Sequence, residues 1–178
     1  VEIAIEPLRN RGFEAGGVAG IDGGDLMAEI IHAIRQRTSR GTIHLNTNGS
    51  RPDMVAKLCD AGLDSIRVSL NSAQPEIYAR YYRPRLYSLE HVAESIRIAH
   101  ERRLFTSINY LAFPGLTDSR AEIESLTRLI ETTGLDMIQW RNLNIDPDAY
   151  VETIDLWKDE PAAGMGSLFQ LLRRRFPL

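Results

Sequence analysis

The chain has 178 residues, 43% of them hydrophobic and 25% charged, with a net charge of −3. That length suits one domain with a sizeable core, and the composition is ordinary for a soluble globular protein. The mild negative charge gives no reason to expect nucleic acid or an anionic membrane as partner, and no apolar stretch reaches the roughly 20 residues of a membrane span.

Residues 1–25 read as an irregular, glycine-rich segment. Val1-Glu-Ile-Ala-Ile5 alternates like a short strand, Glu6-Pro7-Leu8 follows, and Gly12, Gly16, Gly17, Gly20, Gly23 and Gly24 come in close succession. Such a stretch loses much backbone entropy on ordering and offers few side chains to bury, so it is expected to be a flexible loop. Its spacing matches neither a P-loop nor a dinucleotide fingerprint. From Asp25, placed to cap a helix, Leu26, Met27, Ile30, Ile31 and Ile34 recur at helical spacing. A strand is expected over 42–47. A helix then opens at Arg51-Pro52-Asp53 and ends at Gly62. The next strand covers 64–70, followed by a tyrosine-rich stretch (Tyr78, Tyr81, Tyr82, Tyr87) suited to packing or a lid. A helix over about 89–102, a strand over 105–111, a helix over 120–133 and a strand over 136–141 complete the regular part. The tail, 151–178, carries Trp157, Pro161 and a helix near 167–175.

This alternation predicts an α/β fold of successive parallel strands joined by right-handed crossovers, with residues 26–150 forming a partial (β/α) barrel. In such folds ligands bind where the C-terminal ends of the strands open into a common mouth. Four apolar runs break into polar clusters there. Asn46, Thr47 and Asn48 precede Gly49; this is turn chemistry or the wall of a site. Along Ile66-Arg-Val-Ser-Leu-Asn71 the strand period of two puts Arg67, Ser69 and Asn71 on one face. A polar ligand inside a barrel, or a solvent-facing edge, would explain that face. Asn109 lies within the third strand, ahead of Pro114-Gly115-Leu-Thr117-Asp118, which also fits a helix N-cap. Gln139 and Arg141 share a face of the fourth strand, and Arg141 could hold a carboxylate or a structural acid.

Metal and nucleophile chemistry find little support. His32, His44, His91 and His100 lack metal-ligand spacing, and Cys59 falls on the apolar face of a helix, where an inert thiol is expected. A single cysteine excludes a disulfide framework and makes a cytoplasmic location the default. The start at Val1 rather than Met suggests a piece of a longer chain.

Taken in order, the segments resemble the middle and later part of a radical S-adenosylmethionine (SAM) domain. The resemblance rests on Leu45-Asn-Thr-Asn-Gly49 and Ala61-Gly-Leu-Asp-Ser-Ile-Arg-Val-Ser-Leu-Asn-Ser72. It continues through Tyr82-Arg83-Pro84, Ile108-Asn-Tyr110, Gly115-Leu-Thr-Asp118 and Gln139-Trp-Arg-Asn142. It implies SAM as a cofactor, with Thr47 and Asn48 at its site, Ser69 and Asn71 near its ribose and carboxylate, Asn109 facing the same cavity, and Gln139 and Arg141 towards adenine or substrate. Family members also hold a [4Fe–4S] cluster on three cysteines of a C-x-x-x-C-x-x-C loop, from which SAM is split to a 5′-deoxyadenosyl radical. This sequence has one cysteine and no such loop. Glu6-Pro7-Leu8 resembles the end of the family's Gly-Gly-Glu motif without its glycines. The resemblance therefore implies a truncated domain with about four of six barrel strands, incompetent alone.

Two other readings stay open. An aldolase or lyase barrel would need a strand-end lysine, and the two lysines, Lys57 and Lys158, occupy none. A non-catalytic module binding a nucleoside or a protein is the alternative. Unpaired strand edges would favour self-association.

Overall fold

The computed structural model describes residues 2–4, 23–155 and 161–177. The Gly12–Gly20 stretch, Glu6-Pro7-Leu8 and Trp157 lie outside them. Among the described residues five strands form one sheet: β1 (Glu2–Ala4), β2 (His44–Thr47), β3 (Ser65–Leu70), β4 (Phe105–Ala112) and β5 (Met137–Asn142). All neighbours are parallel and the order is β1-β2-β3-β4-β5. One strand more is present than the four read as clear strands, because the alternating start of the chain pairs with β2.

Strictly sequential order has a geometric consequence. Each right-handed crossover lays its helix on the same side, whereas a doubly wound sheet must reverse its order to cover both. The helices α1 (Gly23–Arg37), α2 (Pro52–Asp60), α4 (Leu89–Glu101) and α5 (Arg120–Thr133) accordingly pack side by side as one layer. Between that layer and the sheet lie Ile66, Val68, Ile96, Ile108 and Leu126, all fully buried. Among the described residues the other face of the sheet carries no such layer.

Three helix ends deliver the chain to the next strand by one device. Gly62 (φ 110°), Arg103 (φ 62°) and Gly134 (φ 69°) adopt left-handed backbone, and each precedes a buried leucine: Leu63, Leu104 and Leu135. At the first two, N–H bonds close Schellman motifs: Gly62 to the Cys59 carbonyl and Leu63 to Leu58, then Arg103 to His100 and Leu104 to Ala99. Gly-Leu-Asp also occurs twice. The Asp64 carboxylate accepts the Ile43 N–H at 2.6 Å and the Asp136 carboxylate accepts the Thr106 N–H at 2.7 Å. Each aspartate thus ties the start of one strand to the start of the strand before it.

Three local expectations are corrected. Asp25 does not cap α1, which starts two residues earlier; it sits in the first turn and pairs with Lys57 at 2.7 Å. The cap of α5 is Ser119, whose hydroxyl accepts the Glu122 N–H, while Asp118 accepts from Gly115. The tyrosine-rich stretch contains a helix, α3 (Pro75–Tyr82), and α6 (Pro147–Ile154) was not foreseen. The tail helix α7 spans Met165–Arg175. Tyr150 and Ile154 of α6 join Leu116, with Tyr81, Leu111 and Phe113 against them, in a second apolar cluster. Tyr150 meets Phe113 and Tyr81 edge-on at 5.2 and 5.4 Å.

Candidate functional site

Side chains in register across a parallel sheet point to the same face, so the pairing sorts the predicted residues. Ser69, Asn109 and Gln139 stand in one row across β3, β4 and β5. Their faces alternate with those of Val68, Leu70, Ile108 and Tyr110, which point into the helix-backed core. The row therefore lies on the open face. Two residues towards the N-terminal strand ends, Asn46, Arg67 and Ser107 form a second row, and two residues the other way Leu111 is registered with Arg141. The polar residues are held sparingly. Arg141 donates to the Asn109 Oδ1 at 3.3 Å, and Arg67 Nε to the Ser107 Oγ at 3.4 Å. The buried Gln139 Oε1 has no partner among the described residues.

The remaining predicted residues lie elsewhere. Thr47 is registered with Val68 and so belongs to the helix-backed side; its hydroxyl accepts the Gly49 N–H at 3.1 Å. Asn48 accepts the Ser50 N–H at 3.1 Å. Both make local turn bonds, and both line a cavity of about 380 Å³ together with Gly24, Arg51 and Met54. Gly49 is required there. Its φ is 66°, a Cβ would stand 3.2 Å from Val68 and Val92, and the Ser95 hydroxyl bonds its carbonyl at 2.7 Å. Asn71 is buried beneath α6: its Nδ2 donates to the Tyr150 hydroxyl at 3.3 Å, and its Oδ1 has no partner among the described residues.

Sequence reasoning missed Glu122. This carboxylate, 1% exposed, accepts from the Ser72 hydroxyl (2.6 Å), the Ala73 N–H (2.7 Å), the Gln74 Nε2 (2.7 Å) and the Tyr110 hydroxyl. Burial, with Glu122 adding to it, holds the Tyr110 phenol well above its ordinary range. The clamp fixes the whole crossover from β3 to α3, directly after Asn71. Its one sequence signal was Ser119-x-x-Glu122, the spacing of a capping box. Only the Ser119 half of that box forms; the glutamate reaches across to the strand end.

The chain's residues do not fit an iron–sulfur cluster. Three thiolates are needed, and the sole cysteine, Cys59, is half-buried on α2 with its pKa pushed up to about 11 by burial. No group of three or more potential metal ligands occurs among the described residues. The open face does suit a polar organic ligand, since it offers hydroxyl, carboxamide and guanidinium groups with unused capacity. No described helix is long and apolar enough to cross a membrane.

Comparison with known proteins extends this picture. A "Probable GTP 3′,8-cyclase" of Thermococcus kodakarensis is 37% identical over 93 residues, 52% of this chain and 29% of that protein. Among solved structures, coproporphyrinogen III oxidase from Escherichia coli, described as a radical SAM enzyme, superposes with a TM-score of 0.58 at 15% identity, over 85% of this chain and 36% of that one. A domain of a pyruvate-formate lyase-activating enzyme from Bacteroides vulgatus gives 0.56 at 10% identity, over 84% and 83%. At such identities these structures speak for the fold, a partial barrel, and the chain spans about a third of its first-matched relatives. The sequence profile of the Radical SAM superfamily matches residues 7–128, so the chain belongs to the radical SAM superfamily.

Proposed function

We propose that the open face is a SAM-binding surface and that this chain supplies the ligand-holding part of a radical SAM enzyme without cleaving SAM alone. The observation that carries this reading is the Ser69–Asn109–Gln139 row, with its buried Gln139 oxygen that has no partner among the described residues. A buried acceptor without a donor costs about 1–3 kcal/mol, a cost that a ligand N–H removes. SAM, an amino acid joined to a nucleoside, carries N–H groups, hydroxyls and a carboxylate that match this donor and acceptor set. When bound beside a reduced cluster, SAM supplies a carbon radical for hydrogen abstraction; thiolates from outside these 178 residues would hold that cluster. The chain's own part is to bind and orient. Ser69, Asn109 and Gln139 grip the ligand, Arg141 braces Asn109, and Asn71, buried beneath α6, holds the Tyr150 hydroxyl beside the mouth. Thr47 and Asn48 shape the neighbouring rim, and α6 with its aromatic cluster keeps water from one side. The archaeal relative is named for GTP, but the similarity covers too little of it to carry over that substrate.

Equilibrium binding of SAM to the full chain tests the reading. The Ser69→Ala, Asn109→Ala double variant is expected to bind SAM about tenfold or more weakly, since two polar contacts are lost. Absence of SAM binding by the unmodified chain, or equal binding by a folded double variant, overturns it.

A further inference from the structure

Arg67 has no place in the SAM contacts above, and its surroundings are unusual. Three described arginines are half-buried: Arg35, Arg67 and Arg97. Arg35 pairs with Asp64, and Arg97 with both Glu94 and Glu101. Arg67 meets no carboxylate among the described residues. Its one hydrogen-bond partner among the described residues is the neutral Ser107 hydroxyl, itself anchored on the Ile66 carbonyl at 3.1 Å. Acids are not scarce in the sequence, which has 24 against 21 basic residues, yet β2 to β5 contain no Asp or Glu at all. A partly desolvated guanidinium without a counter-charge is costly, and its two terminal nitrogens are fork-shaped donors for a carboxylate or phosphate.

We propose that Arg67, flanked by Asn46 and Ser107 on the open face, anchors a carboxylate or phosphate group of the substrate. This rests on the open face being a ligand surface. The row holding Arg67 lies two residues deeper than the Ser69–Asn109–Gln139 row, roughly 6.6 Å along the strands. An anion seated there leaves that upper row for the second ligand. The substrate is thus a small anionic molecule lying along the floor of the partial barrel. An alternative source of the same chemistry is the carboxylate of SAM, and the test separates the two.

The experiment compares the full chain with Arg67→Gln and Arg67→Lys, all checked for folding by circular dichroism. Inorganic phosphate and malonate, at ionic strength held constant with sodium chloride, are expected to raise the unfolding midpoint of the unmodified chain. The rise disappears in Arg67→Gln and is partial in Arg67→Lys, which keeps the charge but not the fork. Equal midpoints with and without these anions, or equal shifts in Arg67→Gln, overturn the anion site. SAM titration forms the second arm. Unchanged SAM affinity in Arg67→Gln supports a substrate anion; an about tenfold loss for SAM, with none for decarboxylated SAM, reassigns Arg67 to SAM and overturns the substrate role. If the unmodified chain binds the anions but not SAM, the anion site stands and the SAM reading fails.

Discussion

The rim after β2 and the rim after β3 look alike as sequence, each a short polar cluster at a strand end. They are built in opposite ways. Thr47 and Asn48 satisfy N–H groups two residues away. Ser72, Ala73 and Gln74 instead converge on Glu122, 48 to 50 residues along the chain. The first rim is local turn chemistry placed over a cavity, and the second is a tertiary clamp. Polar residues at a strand end therefore announce that something must be hydrogen-bonded, and the range of the partner decides whether the segment is stiff by itself or only in the fold.

The contrast can be broken most severely at Glu122. Glu122→Ala leaves four donors without this acceptor, three of them buried, and is expected to cost about 3 kcal/mol or more in urea unfolding. Glu122→Gln, which can keep two of the acceptor contacts, should cost clearly less. Loss below about 1 kcal/mol for the alanine variant would mean that the β3 crossover does not depend on the clamp.

Alkaline pH gives the next largest effect, again on the β3 side. Tyr110 is held well above its ordinary value of 10.0, and Tyr150, over Asn71, is pushed up to about 12, in both cases mainly by burial. These phenols stay protonated in the folded chain while those of the unfolded chain ionise near pH 10. The unfolded state then binds fewer protons, so stability present below pH 10 is lost as pH rises from about 10 towards 12. The slope is about 1.4 kcal/mol per pH unit for each phenol that ionises only on unfolding. Tyr110→Phe should flatten that slope; an unchanged slope would remove Tyr110 from the account.

The smallest effect belongs to the β2 rim. Thr47→Ala and Asn48→Ala each remove one exposed-to-half-buried local bond and should cost about 1 kcal/mol or less. A loss as large as that of Glu122→Ala would show that this rim too is held by tertiary structure.

Much of the fold was legible because its signals are local. Apolar periodicity located α2, α4, α5 and four strands to within a residue or two, as hydrophobic spacing depends only on the near sequence. The two unforeseen helices are short, eight residues each, and α6 is stabilised chiefly by Tyr150 and Ile154 packing against Leu116 from another part of the chain. Within the candidate site, alternation along β3 and β5 correctly put Arg67 with Ser69 and Gln139 with Arg141. It could not align one strand with the next. The register that sets Ser69 beside Asn109 and Gln139, and turns Thr47 to the other face, arises only when the sheet closes.

The sequence by itself determined the alternation of strand and helix, the membership carried by its strand-end motifs, and the single thiol that cannot hold a cluster. The tertiary structure decided the rest: that the described helices α1, α2, α4 and α5 gather on one face of the sheet, that Glu122 abandons its own helix cap for a distant strand end, and that Arg67 stands partly buried without an acid among the described residues. The reason is physical. Propensity and periodicity act over a few residues, whereas burial and pairing of charge depend on segments far apart in the chain that meet only in the folded sheet.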